Sequence, residues 1–294
     1  MKDPIWFECN KKILPEIHFY FSSEDVCVVK TVLGKLNSDV QKCLKRVKTF
    51  LYQKELADVK LVYLVHGFRG KDIENNIAAK DFKAIKNKLL NTYKDDGIVL
   101  GVVSWITGSR MIWPDLSKIL NPGAGRSLFR TKVETTKTKT VRTEDVDNAK
   151  FKLPICCSFR AGKPSHKCSV YYPTAAANTW PIGNVLAYVN HQIVGHYNTK
   201  KKKISTFCIG HSLGSHLCGF FAKRAKELSS KHIVQKIIGL DPARPIFEDT
   251  RQDLSLKLNK EDASQVEIYH TNANTFGFQK PLGFNKYIIS IIFF

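Results

Sequence analysis

The amino-acid sequence predicts an α/β fold in which a mostly parallel sheet is covered by helices on both faces. After residue 59, short apolar runs rich in β-branched residues alternate with segments of helical periodicity. Such alternation is typical of parallel sheets that are buried between helices. The chain has 294 residues, 43% of them hydrophobic, which is enough for one domain with a single core. We therefore expect one domain over residues 1–294.

The predicted elements are justified in chain order by these two periodicities. Strands are assigned to short runs of β-branched and aromatic residues, and helices to longer segments with an apolar face. The expected order is strands at 18–21, 26–32 and 59–65, a helix at 76–93, a strand at 98–105, a helix at 175–194, a strand at 204–209, a helix after residue 213, and strands at 236–240 and 266–269.

The segment 210–214 fits the pattern Gly-x-Ser-x-Gly, with Ser212 at its centre. This pattern makes a nucleophile elbow, a sharp strand-to-helix turn that exposes a serine hydroxyl. The predicted strand precedes the pattern, and an apolar helical face follows it, as an elbow requires. The two glycines would relieve the crowding around a serine with positive φ. The alternative is an ordinary glycine-rich loop.

Asp241 is the candidate acid that would support this nucleophile. It follows the predicted strand 236–240, so it should lie at the same edge of the sheet as Ser212, where active sites of open parallel sheets are found. The chain order of a serine followed by an acid is that of hydrolases with an elbow. The alternative is a turn or helix N-cap aspartate before Pro242.

Several segments together resemble the pancreatic-lipase family, most closely its invertebrate lipase and phospholipase A1 members. The segments that carry the resemblance are 65–68, 103–105, 172–179, 210–216, 239–245 and 269–273. The resemblance implies an α/β-hydrolase fold and secreted enzymes that hydrolyse carboxylic esters of lipids with a Ser-Asp-His triad and no cofactor. It also implies an oxyanion hole made by the backbone N–H groups of Phe68 and Leu213. Substrate would be met at a membrane or lipoprotein surface.

The family's catalytic histidine has no counterpart in the sequence. His270 is the only histidine after Asp241, and it matches a family segment that is not the base. We do not expect His270 to reach Ser212. After residue 283 the chain leaves the family pattern, which suggests that the C-terminal part of the fold is missing. The tail 284–294 is interpreted as sequence read past an exon end; the alternative is a native C-terminal strand.

Residues 110–169 form a basic insertion within the family pattern. The segment has 13 lysines and arginines against 5 acidic residues and no regular period. A structureless loop of this length is unusual inside a compact domain, so we interpret it as a disordered insertion or a translated intron. We do not expect nucleic-acid binding, since no stacking pattern supports it. Cys156, Cys157, His166 and Cys168 lie within it, but their spacing does not suit a zinc site.

The remaining polar features are weaker. The segment 254–262 aligns with a calcium-binding segment of some relatives, but Leu254, Lys257 and Asn259 replace most of its charged ligands and only Asp262 remains. The first ten residues lack the apolar core of a secretory signal. Because the resemblance implies secreted proteins, we expect the protein to be extracellular and this end of the sequence to be incomplete. Eight cysteines would suit disulfides there. Cys208 and Cys218 are nevertheless expected to be buried thiols.

Three functions compete at this point. The first is a lipid-ester hydrolase, impaired because its triad histidine is absent. The second is a non-catalytic relative that binds lipid or lipoprotein. The third is a protein that binds a heparin-like polyanion through Lys200–Lys203 and the insertion, which the net charge of +20 permits. The presence of both Ser212 and Asp241 favours the first. His211 and His216 flank the serine and are expected to have core or supporting roles.

Overall fold

The computed structural model describes residues 15–31, 36–53, 58–68, 77–93, 97–109, 171–194, 203–229, 234–247, 254–271, 277 and 285–288. The insertion 110–169, the first ten residues and the lysines at 200–202 lie outside these residues, and so do the cysteines and the histidine that were considered as zinc ligands. Within the described stretches, no helix is both long enough and apolar enough to cross a membrane.

The core of the fold is one mostly parallel sheet. In the described part of the chain it has eight strands, in the spatial order β2-β1-β4-β3-β5-β6-β7-β8. Strand β1 is antiparallel to both of its neighbours, and all other neighbouring strands are parallel. The prediction of a mostly parallel sheet is therefore confirmed. The strands are β1 Glu16–Tyr20, β2 Val26–Lys30, β3 Asp58–Val65, β4 Ile98–Ser104, β5 Lys203–His211, β6 Lys236–Leu240, β7 Gln265–His270 and β8 Asn285–Ile288.

Helices cover both faces of this sheet. They are α1 Ser38–Gln53, α2 Ile77–Thr92, a short α3 Ile106–Ser109, α4 Tyr171–Val194 and α5 Leu213–Leu228. Alternate residues of β3 face two separate apolar clusters, because successive side chains of a strand point to opposite faces. Leu61 and Tyr63 belong to the cluster that includes residues of α1, α4 and α5. Val62 and Leu64 belong to the cluster that includes Leu90 of α2.

Helix α1 was not predicted from the sequence. Its apolar side chains Val40, Leu44, Val47 and Leu51 recur at intervals of three or four residues, and all four are buried. This spacing forms one apolar stripe on a helix whose other positions are mostly polar. This apolar stripe is the sequence signal that predicts the helix, and it was overlooked among the expected elements.

The C-terminal tail contributes a strand to the sheet. Residues 285–288 pair in parallel with the end of β7, with Tyr269 opposite Tyr287 and His270 opposite Ile288. The first residues of the tail therefore form a strand, which is the alternative given above for this segment.

Two disulfides join strands to helices, and one of them corrects a prediction. Cys27 of β2 is bonded to Cys43 of α1. Cys208 of β5 is bonded to Cys218 of α5, so the expectation of two free thiols there is wrong, although both residues are fully buried. The turn at Ser212 folds α5 back along β5 and brings the two Cα atoms to 5.8 Å, a separation at which a disulfide forms readily.

Candidate active site

Ser212 lies at the turn between β5 and α5, as the elbow pattern predicts. Its φ of 54° and ψ of −118° are unusual for a residue with a side chain, and such conformations cost about 1–3 kcal/mol. Three backbone hydrogen bonds hold the turn. The Ser212 N–H donates to the Leu240 carbonyl at 2.9 Å, and the Ser212 carbonyl accepts from Ser215 at 3.1 Å and from Ala243 at 3.3 Å.

The second glycine of the pattern, Gly214, is required by a close approach. A Cβ atom added there would lie 2.3 Å from the carbonyl oxygen of Val65, at the end of β3. The first turn of α5 therefore packs directly on the backbone of the neighbouring strand. This contact fixes the start of the helix, and with it the position of Ser212.

Asp241 lies one strand away from Ser212 at the same edge of the sheet. In the parallel pairing of β5 and β6, His211 is opposite Leu240, and Asp241 follows directly. Its φ is 43°. One carboxylate oxygen accepts the Thr271 N–H at 2.6 Å, and the other accepts the Thr271 hydroxyl. Asp241 therefore lies at the same edge of the sheet as Ser212, and its role as the acid stays a prediction. Thr271 was present in the family resemblance, but sequence reasoning gave it no role.

The loop after β3 passes beside Ser212 and is shaped by His66. The His66 Nε2 accepts the Trp105 N–H at 3.0 Å, and its Nδ1 lies 2.9 Å from the Gly67 carbonyl oxygen. Because Nε2 is an acceptor, the ring is neutral and donates from Nδ1. The Trp105 indole donates to the His66 carbonyl at 2.8 Å. A Cβ atom on Gly67 would lie 2.8 Å from the Cβ of Ser212, so this loop lies directly against Ser212.

The two candidate oxyanion donors are the backbone N–H groups of Leu213 and Phe68, the residues that directly follow Ser212 and Gly67. Leu213 is the first residue of α5, and the first N–H groups of a helix have no acceptor within the helix. They also lie at the positive end of the helix dipole. Phe68 follows Gly67, and its ring packs edge-on against Tyr172 at 5.2 Å. The Tyr172 hydroxyl donates to the Pro245 carbonyl at 3.4 Å, so Tyr172 contacts both the Phe68 loop and the loop that follows Asp241.

His270 ends β7 and is almost completely buried, with 1% of its surface exposed. Strand β6 separates β7 from β5, so the two strands lie roughly 10 Å apart. The next residue, Thr271, which lies just beyond the end of β7, is the one that contacts Asp241. That His270 does not serve Ser212 stays a prediction.

His216, on α5, has a supporting position. Its Nε2 donates to the Ala243 carbonyl at 2.9 Å, and its Nδ1 accepts the Leu258 N–H at 3.1 Å. The ring is fully buried and stacks on Phe247 at 3.8 Å between centroids. Burial lowers the pKa of His216 from 6.5 to about 3; the Ala243 carbonyl opposes this shift, and nearby lysines add to it. The expected supporting role fits this geometry. His211, beside the serine, is exposed.

The turn at Ser212, the position of Asp241 after the next strand and the mostly parallel sheet together define the α/β-hydrolase fold. Comparison with known proteins agrees. Residues 160–294 match the family model described as Lipase. The chain is 43% identical over 114 residues to a phospholipase A1 of Vespula vulgaris, which is 39% of this chain and 32% of the relative. It is 42% identical over 113 residues to a phospholipase A1 of Vespa crabro, which is 38% of this chain and 36% of the relative.

A third relative, a phospholipase A1 of Dolichovespula maculata, is 38% identical over 114 residues, which is 39% of this chain and 34% of the relative. Over these matched residues the chain is similar to members of the lipase family. It spans about a third of the length of the curated relatives that it matches.

Proposed function

We propose that the chain carries the nucleophile, the acid and the oxyanion hole of a lipid-ester hydrolase of the lipase or phospholipase A1 type. The observation that carries this proposal is the elbow at Ser212, bonded to the turn of Asp241 through the Leu240 and Ala243 backbone. The similarity to three phospholipases A1 supports an acyl ester of a glycerolipid as the substrate class.

In the proposed reaction, the Ser212 hydroxyl attacks the ester carbonyl carbon while a histidine base takes its proton. The Asp241 carboxylate orients that histidine and stabilises its charged form. The negative oxygen of the tetrahedral intermediate is bound by the N–H groups of Phe68 and Leu213. The alcohol then leaves with the proton from the histidine, and water hydrolyses the acyl-serine in the same way.

We expect these 294 residues by themselves to hydrolyse esters at a rate near background, and at most with the small residual acceleration that an oxyanion hole and substrate binding provide. His270 is their only histidine after Asp241, and a serine hydroxyl without a base is a weak nucleophile. Oxyanion hole and substrate binding alone leave a residual acceleration of roughly 10³–10⁴ over water in a serine protease that has lost a triad member.

Labelling with a fluorophosphonate probe tests this proposal, together with hydrolysis of a short-chain p-nitrophenyl ester. The 294-residue chain should label weakly. A chimera that continues with the C-terminal segment of a phospholipase A1 relative, including its histidine, should label strongly. Ser212→Ala should abolish labelling of the chimera, and Asp241→Asn should reduce it at least about 10³-fold, as loss of the triad aspartate does elsewhere. Strong activity of the unmodified chain that His270→Ala removes would show that His270 is the base.

An extracellular location is also part of the proposal. The two disulfides support it, because disulfides persist in oxidising compartments and are rare in the cytosol. Thiol labelling of the denatured, unreduced protein isolated from its source would test it. Cysteines 27, 43, 208 and 218 should all resist alkylation until a reductant is added.

The alternative functions make different predictions. A non-catalytic lipid-binding relative would bind phospholipid vesicles equally well with Ser212 or Ala at that position, and the chimera would remain unreactive. Binding to a heparin-like polyanion, which the net charge of +20 supports, would appear as retention on a heparin column that falls steeply with salt.

A further inference from the structure

A buried cluster of polar groups joins α5 to the segment 254–262. The Lys223 ammonium, on α5, lies 2.7 Å from each of the two Asp262 carboxylate oxygens and 2.8 Å from the Lys257 carbonyl oxygen. The Asp262 side chain is 3% exposed, and that of Lys223 is 23% exposed. Three oxygen atoms of one segment thus converge on a single nitrogen of another element.

The segment itself is folded around the same carboxylate. The Asn259 N–H donates to Asp262 at 3.0 Å, and the Asn259 side-chain amide donates to Asp262 and to the Leu254 carbonyl, both at 2.9 Å. A Cβ atom on Gly219 would lie 2.8 Å from Asp262, so the carboxylate also lies directly against the α5 backbone. The segment cannot place Asp262 elsewhere without losing these bonds.

These groups do not suit a calcium ion, although the segment aligns with one that binds calcium in some relatives. Calcium takes six to eight oxygen ligands, several of them charged. Among the described residues the cluster has one carboxylate, and both of its oxygens and the converging carbonyl already lie within 2.8 Å of the Lys223 ammonium. A divalent ion at this point would also meet the positive charge of the ammonium.

We propose that the Lys223 ammonium is the internal cation of this segment, in the place that a metal ion would otherwise take. A single positive charge matches a single carboxylate, and the ammonium offers three donors to the three converging oxygens. Lys223 is thereby a positioning residue. It fixes the segment 254–262 against the helix that begins beside Ser212, and His216 binds the same segment at Leu258. The proposal does not depend on hydrolase activity.

Thermal unfolding of the 294-residue chain tests the proposal first in the unmodified protein. The Tm should be the same in excess EDTA and in millimolar CaCl₂. A saturable rise of Tm with calcium that Asp262→Asn removes would show that the segment binds a metal, and would overturn the proposal.

Two variants of Lys223 distinguish an internal cation from an ordinary ion pair. Lys223→Ala and Lys223→Met should each lower Tm by about 6–12 °C, as expected for loss of one partner of a buried pair. Added propylammonium should restore part of the Tm of Lys223→Ala, because the space for a cation is open. It should not restore that of Lys223→Met, whose apolar side chain fills the space. A Tm unchanged by Lys223→Ala, or an equal response of both variants to propylammonium, would refute the proposal.

Discussion

The buried ring of His216 predicts a specific loss of stability in acid. In the native state, Nδ1 accepts the Leu258 N–H and Nε2 donates to the Ala243 carbonyl. A second proton on Nδ1 would break the first bond and would place a charge in a buried site near Lys223 and Lys257. Unfolding releases the ring to water, where it accepts a proton readily.

The magnitude follows from the difference between the two pKa values. The pKa of His216 is about 3 in the folded protein and 6.5 when exposed. Because the folded pKa is depressed, the contribution is complete above pH 6.5 and is lost as pH falls toward 3. Within this interval the free energy of unfolding should fall by up to about 1.4 kcal/mol per pH unit through this ring. The total loss by pH 3 is on the order of 5 kcal/mol.

Urea unfolding between pH 4.5 and 7.5 measures this effect by comparing the protein with His216→Gln. Glutamine can donate to one carbonyl and accept from one N–H without taking up a proton. The variant should be less stable at pH 7, and its stability should fall less steeply with acid. His18→Gln is the matched control, since His18 lies on β1 and its side chain is 28% exposed. Parallel profiles for the protein and for His216→Gln would refute the assignment of the acid sensitivity to this ring.

Three further substitutions test other parts of the site. His66→Ala leaves the buried Trp105 N–H without its acceptor and should lower the free energy of unfolding by about 1–3 kcal/mol; an unchanged urea midpoint would contradict this. Ser212→Gly should raise the free energy of unfolding by about 1 kcal/mol, because glycine tolerates the positive φ at this turn. The same substitution should abolish fluorophosphonate labelling of the chimera. A lower urea midpoint would show that the serine backbone is not strained. In the double variant Cys208→Ala/Cys218→Ala, the free energy of unfolding should fall by about 2–3 kcal/mol. An unchanged free energy of unfolding would mean that the disulfide does not form.

Local patterns in the sequence predicted the elbow and the sheet around it. Ser212 and Gly214 belong to one short motif, and Asp241 directly follows an apolar run. The positions of these three residues could therefore be predicted from the sequence around them and from the rule that active sites of open parallel sheets lie at the carboxyl ends of the strands. Helix α1 could have been predicted in the same way, since Val40, Leu44, Val47 and Leu51 repeat at helical spacing.

Apart from helix α1, the features that sequence reasoning missed depend on tertiary contacts that no local pattern shows. Cys208 and Cys218 are paired because the sharp turn at Ser212 brings α5 back along β5, and their sequence spacing alone does not show this. Thr271 contacts Asp241 because β7 lies next to β6. A local pattern does not reveal which strand will be a neighbour, so it assigns no partner to such residues.

Helix α5 shows why these distant contacts matter to the candidate site. It begins beside Ser212, and its side chains His216 and Lys223 bind the chain that follows Asp241, at Ala243 and at the segment 254–262. The backbone bonds of Ser212 to Leu240 and Ala243 join the two turns at the other end. Ser212 and the turn at Asp241, the proposed nucleophile and acid, are therefore held by the same helix at several points along its length. Because a small displacement between these two groups is costly for catalysis, residues well away from Ser212 on this helix should affect the reaction as well as stability.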